Sequence, residues 1–73
     1  MRKYLENYRS GAKMTQQDVA SRLGITPQYY QMIEAGVRQK DMDITLAAKI
    51  ADAFQVPLQE VIAHERDYNN ASH

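Results

Sequence analysis

Cysteine is absent from this 73-residue chain. That excludes disulfides and thiolate metal sites, and it suits a reducing, cytoplasmic setting. No apolar run approaches the roughly 20 residues of a membrane helix, and the N-terminus lacks the apolar stretch of a signal peptide, so a soluble intracellular protein is expected. No segment alternates apolar and polar residues long enough to make a half-buried strand. Nor can a nucleophile, a base and an orienting group be assembled from these side chains, and a stable pocket is not expected at this size. The expectation is therefore a non-enzyme without cofactor. His64 and His73 stand without companion ligands, which argues against a metal.

An excess of charge is also missing, with nine basic residues against nine acidic ones. A nucleic-acid-binding domain usually carries a basic surplus. The distribution reverses that objection. Residues 1–40 contain seven basic and three acidic side chains, a net of +4, and residues 41–73 contain two and six, a net of −4. One half suits a phosphate-facing surface and the other suits solvent.

What the chain does contain is helical periodicity from end to end, which predicts an all-α fold of five short helices. The first covers about Arg2 to Ser10, with Leu5 and Tyr8 inward and Gly11 as its stop. Thr15 caps the second, and Asp18 three residues on completes a capping-box pattern. Val19, Ala20 and Leu23 form its inner face, and Gly24 suits the left-handed turn at its end. Thr26 caps the third helix, Pro27 fits its first position, and Gly36 ends it after Ala35. A polar loop then leads to Asp43, which caps a fourth helix with Ile44, Ala47, Ala48, Ala51 and Phe54 on one face, joined by Leu46 and Ile50. Val56-Pro57-Leu58 restarts a fifth, with Leu58, Val61 and Ile62 inward. Residues 1–63 read as the domain. Residues 64–73 read as a polar tail, frayed or extended as helix only when a partner orders it.

The stretch Met14 to Pro27 thus reads as a helix, a tight break and a second capped helix, a pattern specific only when its companions are counted. Those companions are Leu5 and Arg9, then Met14-Thr15-Gln16-Gln17-Asp18-Val19-Ala20, Leu23-Gly24-Ile25-Thr26, Ile33-Glu34-Ala35-Gly36, Lys49-Ile50-Ala51 and Val56 to Ile62. Together they resemble the lambda-repressor-like, Cro-type (XRE-type) helix-turn-helix family of transcriptional regulators, from about Leu5 to Ile62.

The resemblance implies sequence-specific binding of double-stranded DNA, as a repressor-type regulator working as a homodimer on a pseudo-palindromic site. Base edges would be read by Pro27, Gln28, Gln31 and Met32. The Gln28 amide matches the N6/N7 pair of adenine. Phosphates would be met by Gln16, Gln17, Thr26, Tyr29, Arg38 and Lys40, and an ion pair would join Arg9 to Glu34. Leu58, Val61 and Ile62 are dimer candidates, with core burial the simpler reading for Leu58 and Val61. Tyr30 is expected in the core with its hydroxyl reaching the surface.

Three features depart from the family pattern. Lys13 and Gln55 occupy positions where glycine is frequent, which points to left-handed backbone on residues with side chains. The loop from Gly36 to Asp43 is about two residues longer than the common form. A competing reading keeps the fold but binds a protein partner through the C-terminal region, as antitoxin or adaptor versions do. Zero net charge and the apolar Pro27 and Met32 lend it weight, and salt dependence separates the two.

Overall fold

The computed structural model describes residues 1–71 and folds them into five helices. In chain order these are α1 (Lys3–Gly11), α2 (Gln16–Leu23), α3 (Pro27–Ala35), α4 (Ile44–Phe54) and α5 (Leu58–Ala71). Among the described residues there is no strand, and no helix is long and apolar enough to cross a membrane. The all-α expectation holds.

Local signals fix where the helices start. The Thr15 hydroxyl accepts from the Asp18 amide at 3.1 Å and the Asp18 carboxylate accepts from the Thr15 amide at 2.9 Å, a complete capping box. The Thr15 backbone amide first, and its hydroxyl second, hold the Asp18 carboxyl below its ordinary value. Thr26 accepts from the Tyr29 amide at 3.1 Å, and Asp43 from the Leu46 amide at 2.8 Å. Each satisfies an amide that the helix itself leaves unpaired.

The helix ends share one device. In α2, the amide of Ile25 reaches back to the Ala20 carbonyl while Gly24 turns left-handed at φ 72. The pairs Val37 to Met32 around Gly36, Val56 to Ala51 around Gln55, and Met14 to Arg9 around Lys13 repeat it. Gln55 and Lys13 carry φ values of 56 and 57, so both positions flagged in the sequence are left-handed despite their side chains. Gln39 joins them at φ 56, which the sequence did not signal.

The core gathers Leu5, Val19, Ala20, Leu23, Tyr30, Ile33, Ile50 and Val61, with Leu46, Ala47 and Ala51 of α4 closing over it. Fully burying one such aliphatic side chain stabilises the fold by about 1.5–3 kcal/mol. Three expectations need correction, among them Ile62, placed on the inner face of α5 but 38% exposed. Ile44, placed on the inner face of α4, is 61% exposed, because α4 turns Leu46 and Ile50 inward. Tyr30 is buried to its hydroxyl, which has no hydrogen-bond partner of good geometry and lies near Glu34. Burial first, and the neighbouring carboxylate second, push this phenol well above its ordinary value.

Residues 64–71 continue α5, and the group that orders them lies in the same chain; residues 72–73 of the expected tail lie outside the described residues. The Arg2 side chain is wholly buried, and Glu65 receives its Nε at 2.7 Å and its Nη2 at 3.1 Å. The Tyr4 hydroxyl also donates to Glu65, and the Arg2 guanidinium lies 5.0 Å from the centre of the Tyr68 ring. Burial and this pairing remove Arg2 from the phosphate-facing charges of the N-terminal half.

Candidate nucleic-acid interface

Helix α3 is held by one face and free on the other. Tyr30, Ile33 and Glu34 are buried, whereas Pro27, Gln28, Gln31 and Met32 are exposed, so the four residues expected to read bases share the outward side. Thr26 and Pro27 set the angle at which this side begins. Gly24 lets the chain turn sharply enough that α2 and α3 pack together, with Ile25 half-buried against the core.

Beneath that face lies the Arg9–Glu34 pair. Arg9 Nη2 is 3.0 Å from Glu34 Oε1 and Nε is 3.2 Å from Oε2, a two-pronged contact. The carboxylate side chain is 3% exposed and the guanidinium 21%. Glu34 in turn raises the Arg9 pKa, chiefly through these hydrogen bonds. Arg9 also donates to the Met14 carbonyl at 3.4 Å, joining α1 to the residue that precedes the α2 cap.

Gln16 is tied into the same cluster. Its Nε2 donates to Glu34 Oε2 at 3.3 Å, so this half-buried side chain braces α2 against α3. Gln17 beside it is exposed. The capping box engages the amides of Thr15 and Asp18, and those of Gln16 and Gln17, in the first turn, have no intrahelical partner. A helix start of this kind attracts anions.

The remaining phosphate candidates lie on the far side of α3. Thr26 is exposed while capping; Tyr29 is half-buried and its hydroxyl accepts from Gln39 Nε2 at 2.8 Å. Arg38 and Lys40 are exposed on the loop that follows. One basic residue was missed because it sits in the acidic half of the sequence. Lys49 of α4 borders a surface groove of about 250 Å³ together with Tyr29 and Gln39, and shares a second groove with Arg22. Only the fold brings these residues together.

Of the three dimer candidates, Val61 is fully buried within the chain, which takes it from any partner, and Leu58 is half-buried against the core. Ile62, 38% exposed, remains on the outer side of α5. Among the described residues no cluster of ligands could hold a metal ion.

The profile of the family described as Helix-turn-helix matches residues 5–61, most of the chain. The chain belongs to the helix-turn-helix family. It is 36% identical over 67 residues to an uncharacterized HTH-type transcriptional regulator of Methanocaldococcus jannaschii, an alignment covering 92% of this chain and 98% of that protein. No solved structure matches. The family bounds leave outside the match both Arg2 and Glu65, the two residues that tie the ends of this helix-turn-helix domain together.

Proposed function

We propose that this protein binds double-stranded DNA sequence-specifically as a transcriptional regulator, inserting α3 into the major groove. The observation that carries the reading is the division of α3: Tyr30, Ile33 and Glu34 anchor one side, and Pro27, Gln28, Gln31 and Met32 stand free on the other. Gln28 supplies a donor and an acceptor for adenine, and Met32 an apolar contact for a thymine methyl. Pro27 offers van der Waals contact alone, so DNA shape contributes part of the preference. Gln17, Thr26, Tyr29, Arg38 and Lys40 flank this face and would engage phosphates, with Lys49 beside Tyr29.

The protein works as a two-fold dimer in this reading. Two copies would present their α3 helices to half-sites about 34 Å apart, one turn of duplex. Ile62, exposed on α5, is the residue offered to the second copy. Repression is the mode that asks least of such a dimer, because occupancy of the operator is enough to block it. A cytoplasmic location follows from the same reading.

Selection of bound duplexes from a random pool, repeated with Gln28→Ala, tests the proposal. A consensus with twofold symmetry is expected, and the variant should lose preference at one position per half-site. Recovery of no consensus would overturn the specific-regulator reading. Binding that persists unchanged as salt rises would favour instead a protein-binding module.

A further inference from the structure

Arg2 holds more than the end of α5. Its guanidinium has five N–H groups, and all five are used. Two go to Glu65, Nη1 donates to the Ile33 carbonyl at 2.7 Å and to the Arg38 carbonyl at 3.0 Å, and Nη2 donates to the Gln39 carbonyl. The Arg2 amide also donates to the Glu34 carbonyl at 2.7 Å. One side chain thus ties the last turn of α3, the backbone of the loop after it, and the far half of α5.

We propose that Glu65 is a positioning residue for DNA binding, acting through Arg2 to set the backbone of residues 38 and 39 and so the direction in which Arg38 leaves the loop. This rests on the DNA-binding reading above. Three observations support it. Among the described residues the loop has few other ties: the Val37 and Arg38 amides reach the Met32 carbonyl, at 3.0 and 3.3 Å, the Gln39 side chain bonds Tyr29, Met42 packs against the core, and Gln39 is left-handed at φ 56. The two carbonyls that Arg2 grips belong to Arg38 itself and to its neighbour Gln39, whose side chain bonds Tyr29, another phosphate candidate. Finally, Glu65 fixes Arg2 with both oxygens, and Tyr4 donates to the same carboxylate, so the guanidinium has one orientation. The far half of α5, which meets the end of α3 at Gly36, is thereby coupled also to the loop that carries Arg38.

Charge and geometry predict opposite outcomes for Glu65→Gln, which makes the test sharp. Loss of a negative charge, by itself, strengthens binding to a polyanion. Loss of a positioning group weakens it. Affinity for a mixed-sequence duplex is measured against salt for the wild type, Glu65→Gln, Arg38→Ala and the double variant, at a temperature where circular dichroism shows each folded. The expected result is binding about fivefold or more weaker for Glu65→Gln. The salt slope should fall by about 1, as one phosphate contact is lost. Arg38→Ala should then cost far less in the Glu65→Gln background than alone. Unchanged or tighter binding by Glu65→Gln, or additive losses, would overturn the positioning role. Absence of salt-dependent binding by the wild type would instead overturn the DNA reading and this proposal with it.

Hydrogen exchange of the wild type without DNA keeps the proposal testable should Glu65→Gln fail to fold. The amides of Val37 and Arg38 are expected to open in the same step as those of the last turns of α5. Opening of the loop while α5 stays protected would overturn the coupling.

Discussion

The Tyr68 hydroxyl fills the space that a Cβ on Gly36 would occupy, so the end of α3 and the last turns of α5 meet at a residue where an added side chain would have to displace that ring. Gly36 also carries φ 86, a second reason for glycine. Gly36→Ala should therefore destabilise by about 1–3 kcal/mol, from left-handed strain plus the contact. Combining it with Tyr68→Phe should recover the contact part and leave the strain, as measured by chemical denaturation.

The Arg9–Glu34 pair should respond unequally to removal of its two members. Arg9→Ala leaves the more buried charge, at 3% exposure, with Gln16 but no cation beside it, whereas Glu34→Ala leaves an Arg9 side chain at 21% that can turn to solvent. Arg9→Ala is expected to cost about 3–5 kcal/mol and Glu34→Ala less. Thermal melts decide; equal losses would reject the asymmetry, and negligible losses would mean the pair adds nothing beyond surface charge.

Gln55 occupies the left-handed position that Gly24 and Gly36 fill elsewhere. Gln55→Gly should relieve strain of about 1–2 kcal/mol while losing roughly half of that to greater freedom of the unfolded chain. A small rise in Tm is expected. Gly24→Ala, the reverse change at φ 72, should lower it.

Alkaline pH should unfold this protein through its tyrosines. Burial first, and then the hydrogen bond to Glu65 for Tyr4 or to Glu60 for Tyr8, raise both phenols far above 10.0, and Tyr30 is raised as well. Groups raised on folding contribute stability that is complete below the unfolded value and lost as pH rises beyond it. Stability should hold up to about pH 9 and fall steadily above pH 10.0, the ordinary tyrosine value. Ultraviolet titration should show these phenols ionising together with loss of helix, and Tyr4→Phe should flatten the decline.

The two kinds of DNA contact should separate in binding assays. Gln28→Ala should cost about 1–3 kcal/mol of discrimination at one base pair and leave the salt slope alone. Arg38→Ala should weaken all duplexes alike and lower the slope by about 1.

Features set by neighbours in the sequence were legible beforehand. Thr15 with Asp18, Thr26 with Pro27, Gly24, Gly36 and Asp43 announce helix ends because each acts within four residues of itself. The Arg9–Glu34 pair came from family resemblance, and its geometry agrees. The face of α4 was misjudged at Ile44, since apolar residues lie nearly all round that helix and periodicity cannot choose among them. Arg2, Glu65 and Lys49 were read as ordinary charges. Their roles depend on contacts across most of the chain, for which no local pattern exists.

The Arg2–Glu65 contact joins residues 63 positions apart, nearly the two ends of the described chain. Closing so long a loop costs entropy that local contacts such as the capping box of α2 avoid. The pair should accordingly form late, after α2, α3 and α4 have assembled. An interaction absent from the folding transition state acts on the reverse rate, so this clasp sets how long the native domain survives rather than how fast it appears.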